Sequence, residues 1–252
     1  MTGQRDDVVD QTDNVVQRKA PPDPGLAARI AGVLFSPRAT FEAVVRKPRA
    51  LGVLVVVTLV MAGATGWLMS TPVGQQAALE QQIDAMESFG FTVTDEMYTQ
   101  MERGIERGMY FSVAGILVGS VVITTLLSGV LWTVCYVLLG AHARFKTMFA
   151  VVAHAGVVNI VQQAFVTPLN YVRGAMSSPS NLAVFFPMLE EGSFGQRALA
   201  LVDMFIVWQL FVLAVGVAVL YGRRTGPVAA TFYVIYALIA LGGGFALTRI
   251  GG

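Results

Sequence analysis

Twenty consecutive residues, Ala50 to Met69, carry no charge and are almost entirely apolar. At 1.5 Å of rise per residue, about 20 apolar residues cross the hydrocarbon of a bilayer as a helix. Arg38, Arg46, Lys47 and Arg49 crowd the leading edge of this run. Basic residues beside a span favour the cytoplasmic side. The stretch therefore predicts a membrane protein and sets the orientation of its first crossing.

The rest of the chain agrees. It is 55% hydrophobic and 13% charged, well below the charge content of about 25% usual in soluble domains. Further apolar runs lie at about 110–139, 147–172, 198–221 and 227–248, which with 50–69 makes five spans. The short connections carry Arg144 with Lys146, and Arg223 with Arg224, as cytoplasmic loops should. The expectation is an all-α polytopic protein with its N-terminus cytoplasmic and its C-terminus extracytoplasmic, in a bacterial plasma (inner) membrane.

Residues 1–26 are polar, with Asp6, Asp7, Asp10 and Asp13 followed by Pro21, Pro22 and Pro24, and no apolar stretch of signal-peptide type. They read as a disordered cytoplasmic tail ahead of one membrane domain at 27–252. Within 27–48, Ile30, Val33, Leu34, Phe41, Val44 and Val45 recur at helical spacing on either side of Pro37. This predicts two short amphipathic helices lying in the headgroup zone, the second capped by Ser36 with Pro37 at its first position. The basic residues among them would attract anionic lipids.

Between the first two spans, residues 70–109 are rich in Gln and Met. Leu79, Ile83 and Met86 form one apolar face, and Thr94 followed by Asp95 and Glu96 reads as an N-cap. Two amphipathic helices outside the membrane are expected there, broken at Phe89-Gly90-Phe91.

Chemistry is sparse. Two histidines, His142 and His154, lie apart and far from carboxylates, and there is no HExxH, nucleophile elbow or phosphate-binding loop. Neither a catalytic residue, a metal site, a cofactor nor a nucleic-acid partner is implied. Polar residues in the third span, His154, Asn159, Gln162 and Gln163, are costly in hydrocarbon; the three amides share one helical face that should point into the bundle. Asp203 is the one acid inside an apolar run. Unpaired near mid-bilayer it would cost about 2.5–3.5 kcal/mol; Asn170, Arg173 and Arg249 are partners at matching depth, and in the first turns of a helix running from Ala198 the carboxylate also reads as a structural cap that suits the dipole. Gly115-x-x-x-Gly119 and Gly242-Gly243-Gly244 permit close helix approach, within the chain or between copies.

The string Phe35-Ser36-Pro37, Thr40-Phe41 and Lys47-Pro48 ahead of the first span resembles bacterial members of the Yip family, the Yip/Yif-type five-span membrane proteins. Gly140 with Phe145-Lys146 before the third span, Trp208 and Gly216 in the fourth, and the Gln- and Met-rich loop agree with it. The likeness covers about residues 28–248. It implies five membrane helices, a cytoplasmic N-terminus and no known catalysis; the GTPase partners of eukaryotic relatives are not carried over. The expected role is a non-catalytic scaffold, lipid-organising element or accessory subunit, with the bilayer and a second copy or another membrane protein as partners. The competing reading is a small transporter or channel whose path is lined by Asp203 and the third-span amides.

Overall fold

The computed structural model describes residues 25–139, 143–190 and 192–250. His142, Gly140 and the tail at 1–24 lie outside them. All the regular structure is helical: α1 (Leu26–Phe35), α2 (Pro37–Arg46), α3 (Leu51–Met69), α4 (Pro72–Ser88), α5 (Asp95–Leu139), α6 (Phe145–Ala155), α7 (Val158–Arg173), α8 (Phe194–Ala200), α9 (Met204–Leu220) and α10 (Thr225–Ile250), with one 3₁₀ turn at Leu182–Phe185. Among the described residues, four helical stretches are long and apolar enough to cross a bilayer: Leu51–Met69, Arg107–Val137, Phe145–Arg173 and Thr225–Arg249. Met204–Leu220 is apolar and 17 residues long.

Three boundaries differ from the sequence expectation. The second loop helix does not end before the membrane; it runs into the second apolar stretch as one 45-residue helix, α5, about 67 Å long. Thr94 does start it, its hydroxyl accepting from the Met97 N–H at 3.4 Å. The turn before it is made by Gly90, whose φ of +82° suits glycine. The third apolar run is divided: α6 and α7 meet at Gly156 and Val157, where the N–H groups of Val157, Asn159 and Ile160 bond three residues back at 3.0–3.1 Å. Such 3₁₀ tightening bends a helix without orphaning its backbone. The run at 198–221 is also divided, into the short α8 and the longer α9, with Leu201–Asp203 between them.

The N-terminal helices dock on the bundle. Val33, Phe41 and Val44 are fully buried in the main core, alongside Val53, Met148, Val151 and Val212. Their apolar face is thus turned to protein, whereas the expectation was to lay it on lipid. The reason is Gly216. A Cβ added there would stand 2.6 Å from Val151 Cγ1 and 2.9 Å from Phe41 Cε1, so only glycine leaves room for the Phe41 ring between α9 and α6. Ser36 does precede α2 with Pro37 in first place, but its hydroxyl makes no capping bond; its carbonyl accepts from the Thr40 N–H and hydroxyl at 3.1 and 3.0 Å. Arg29 is buried beneath the pair, its guanidinium directed at the Lys47 carbonyl, 3.5 Å away at the C-terminus of α2. A cation there suits the helix dipole.

Helix α10 packs closely on α8 through Gly244, where a Cβ would lie 2.8 Å from Ala198 Cα. Gly115 and Gly119 on α5 have no atom of another element near them.

Removing the Phe41 ring should open a core cavity and cost about 3–5 kcal/mol. Phe41→Ala, and Gly216→Val by overlap, should both lower the melting temperature in detergent and speed tryptic cleavage after Arg46 and Arg49. Unchanged melting and cleavage in both variants would mean that α2 is not held against α9.

Candidate functional site

Asp203 occupies the N-cap of α9, at the end of the bundle opposite α1 and α2. Its Oδ1 accepts the Phe205 and Ile206 N–H groups at 2.8 and 3.4 Å. Its Oδ2 accepts the Ser178 and Ser180 hydroxyls, each at 2.5 Å. The backbone is tied in as well: Leu182 N–H donates to Val202 O at 2.8 Å, Met204 N–H to Ser180 O at 3.1 Å, and Asp203 N–H to the Tyr236 hydroxyl at 3.1 Å, which itself donates to Leu201 O at 2.8 Å. The acid therefore sits at a helix end instead of inside a span. Its partners are two loop serines instead of Asn170, Arg173 or Arg249. Once amide orientation is set by its neighbours, Asn170 donates to the Ser177 and Ala175 carbonyls at 3.2 Å. Arg249 lies over the Phe245 ring, 5.2 Å from its centroid.

The polar face of the third apolar stretch is divided among different surroundings. His154 is fully buried, and its Nδ1 lies 2.7 Å from Ala150 O, an ordinary helix-interior bond. The Gln163 side-chain oxygen accepts the Thr167 hydroxyl at 2.9 Å. Gln162 is half-buried beside it. Asn159, just past the α6–α7 bend, lines a partly open chamber of about 400 Å³ between α3, α5, α6–α7 and α9. Thr58, Ser120, Thr124 and Gln209 line it too, amid a larger apolar wall. Thr58 and Ser120 hydroxyls bond each other at 2.8 Å. The structure thus brings Asn159 together with residues that the sequence reading passed over, and keeps it from Asp203. Gln209 carried a visible signal, an amide in an otherwise apolar helix; the serines at 178 and 180, in an irregular loop, carried none.

The basic residues Arg38, Arg46, Lys47 and Arg49 are all exposed, around the docked α1–α2 pair. Arg38 lies 3.6 Å from Glu42 one turn on, an exposed pairing worth well under 1 kcal/mol. Among the described residues no group of three His, Cys, Asp or Glu side chains could hold a metal ion.

Asp203→Ala removes four accepted hydrogen bonds and should destabilise the protein by more than about 2 kcal/mol; Ser180→Ala should cost about 1–3 kcal/mol. Asp203→Asn keeps an acceptor for the backbone and should fall between wild type and alanine. Thermal melts in detergent would test this order, and a wild-type melt for Asp203→Ala would contradict the cap.

A comparison with curated proteins finds no match, and neither does one with solved structures. The family comparison does. The Yip1 domain matches residues 31–248, a stretch that runs from the docked N-terminal helices through the Gly216 notch and the capped α9 to the end of α10. The chain therefore belongs to the Yip1-domain family of multi-span membrane proteins.

Proposed function

We propose that this protein is a non-catalytic scaffold of a bacterial plasma membrane, organising anionic lipid or serving as an accessory subunit of a membrane complex. In this reading the shorter α9 is a fifth span, and α1, α2 and the loops at 140–146 and 222–226 face the cytoplasm. The observation that carries it is the basic rim at one end. Arg38, Arg46, Lys47 and Arg49 are exposed there with Arg223 and Arg224, and the start of α2 lines one groove with the start of α10. Each cation near an anionic surface contributes up to about 1 kcal/mol of attraction. Because the apolar face of α1 and α2 is engaged by the bundle, the pair is held in place and presents the rim as a fixed surface.

The transport reading loses support at Asp203. A carboxylate that accepts from two hydroxyls and two N–H groups has little capacity left for a travelling ion. Gly115 and Gly119, bare of neighbours on α5, support a second copy or another membrane helix as partner.

Extraction of the full chain with its native lipid, followed by mass spectrometry, should show enrichment of anionic over zwitterionic lipid. Changing Arg38, Arg46, Lys47 and Arg49 together to Gln should abolish most of it. Equal lipid composition around wild type and variant would defeat the lipid-organising reading. For orientation, Arg223→Cys in a Cys135→Ala background should react with an impermeant thiol reagent only after the membrane is opened; reaction in intact cells would reverse the assignment.

A further inference from the structure

We propose that the chamber between α3, α5, α6–α7 and α9 is a binding site for a neutral, mostly hydrocarbon molecule dissolved in the bilayer and carrying carbonyl oxygens. The site lies near mid-membrane. Thr58 is close to the middle of Leu51–Met69, Ser120 and Thr124 close to that of Arg107–Val137, and Gly156 close to that of Phe145–Arg173. At about 400 Å³ it falls within the range of small-molecule sites, roughly 300–1,000 Å³.

Its polar groups define the ligand. Thr124, Asn159 and Gln209 line the chamber, and neither the Thr124 hydroxyl nor the Asn159 and Gln209 amides have a hydrogen bond to a described residue. In hydrocarbon an amide without a partner is costly, because no lipid tail can bond it. Each of the three can donate a proton, and a carbonyl oxygen is the matching acceptor. Among the described residues no ionisable side chain lines the chamber, so a charged headgroup would arrive without compensation. A phospholipid headgroup also belongs at the interface and not at this depth.

The packing leaves a way in. Helix α5 packs on α3, α4 and α6, and α9 packs on α2, α6, α7 and α10, but α5 and α9 share no extended contact although both line the chamber. Beside the seam the apolar side chains of Ile123, Leu127 and Ile206 are exposed, so the ligand would enter sideways from the membrane. The site is separate from the basic rim, and it stands or falls independently of the scaffold reading.

The test uses the full chain in lipid nanodiscs with two probes of similar size, decyl-1,4-benzoquinone and decylbenzene. Thermal melting should rise saturably with the quinone, and decylbenzene should need at least about tenfold more for the same effect, as two neutral hydrogen bonds would give. In Asn159→Leu/Gln209→Leu, checked for an unchanged melt without probe, the quinone should behave like decylbenzene. Equal potency of the two probes on wild type, or no response to either, overturns the proposal. So does a variant that retains the preference for the quinone. The two-probe comparison on wild type decides the matter even if the double variant does not fold.

Discussion

A bilayer interior offers no hydrogen bonds, so every break in a helix that crosses it must satisfy its own backbone. This constraint accounts for the two places where the chain departs from continuous helix inside its apolar runs. At Gly156–Val157 the departure is small: bonds shift from four residues back to three, and the helix bends while its ladder stays nearly whole. At Leu201–Asp203 the helix stops altogether, and a local structure takes over the N–H groups at the start of α9 and the carbonyls of Leu201 and Val202. The Asp203 carboxylate caps the new helix, a one-pair β-bridge joins Asn181 to Asp203, and the Tyr236 hydroxyl spans both sides of the break. The loop at 174–190 is thereby fastened to the start of α9 and becomes part of the membrane domain.

The same constraint explains what was legible in the sequence. The apolar runs, their order, the split at Pro37 and the cap at Thr94 are local signals, and the helices follow them. The division of 198–221 was not legible, because Ala198–Val202 and Met204–Leu220 are equally apolar and composition does not register a break between them. Asp203 marked the spot, but its true partners lie 23 and 25 residues earlier in a loop without periodicity. An aspartate in an apolar run reads either as an expensive buried charge or as a cap in the first turns of its helix; the structure makes it the N-cap of α9. The docking of α1 and α2 was half visible: the amphipathic stripe pointed to an apolar surface, but only the Gly216 notch, in a different helix, says that this surface is protein. The chamber belongs to four separate helices, and no one of them announces it.

These features divide the molecule into a fixed part and a looser part. Helix α9 is held at its far end by the Asp203 cap and at its near end by the Phe41 ring seated against Gly216. Between those fastenings its Ile206–Leu213 segment faces the chamber through Ile206, Gln209, Leu210 and Leu213. The opposite wall is different. Of the most apolar part of Arg107–Val137 only 6% is buried, against 44% for Phe145–Arg173. Helix α5 is held to α3 by the Thr58–Ser120 bond, near the middle of both apolar stretches, and to the residues before α6 by Trp132, whose indole N–H reaches Ala143 O at 2.7 Å. Few buried contacts make an element the easier one to displace. Any widening of the seam between α5 and α9 should therefore come from movement of α5, with α9 and the docked N-terminal helices as the frame against which it moves.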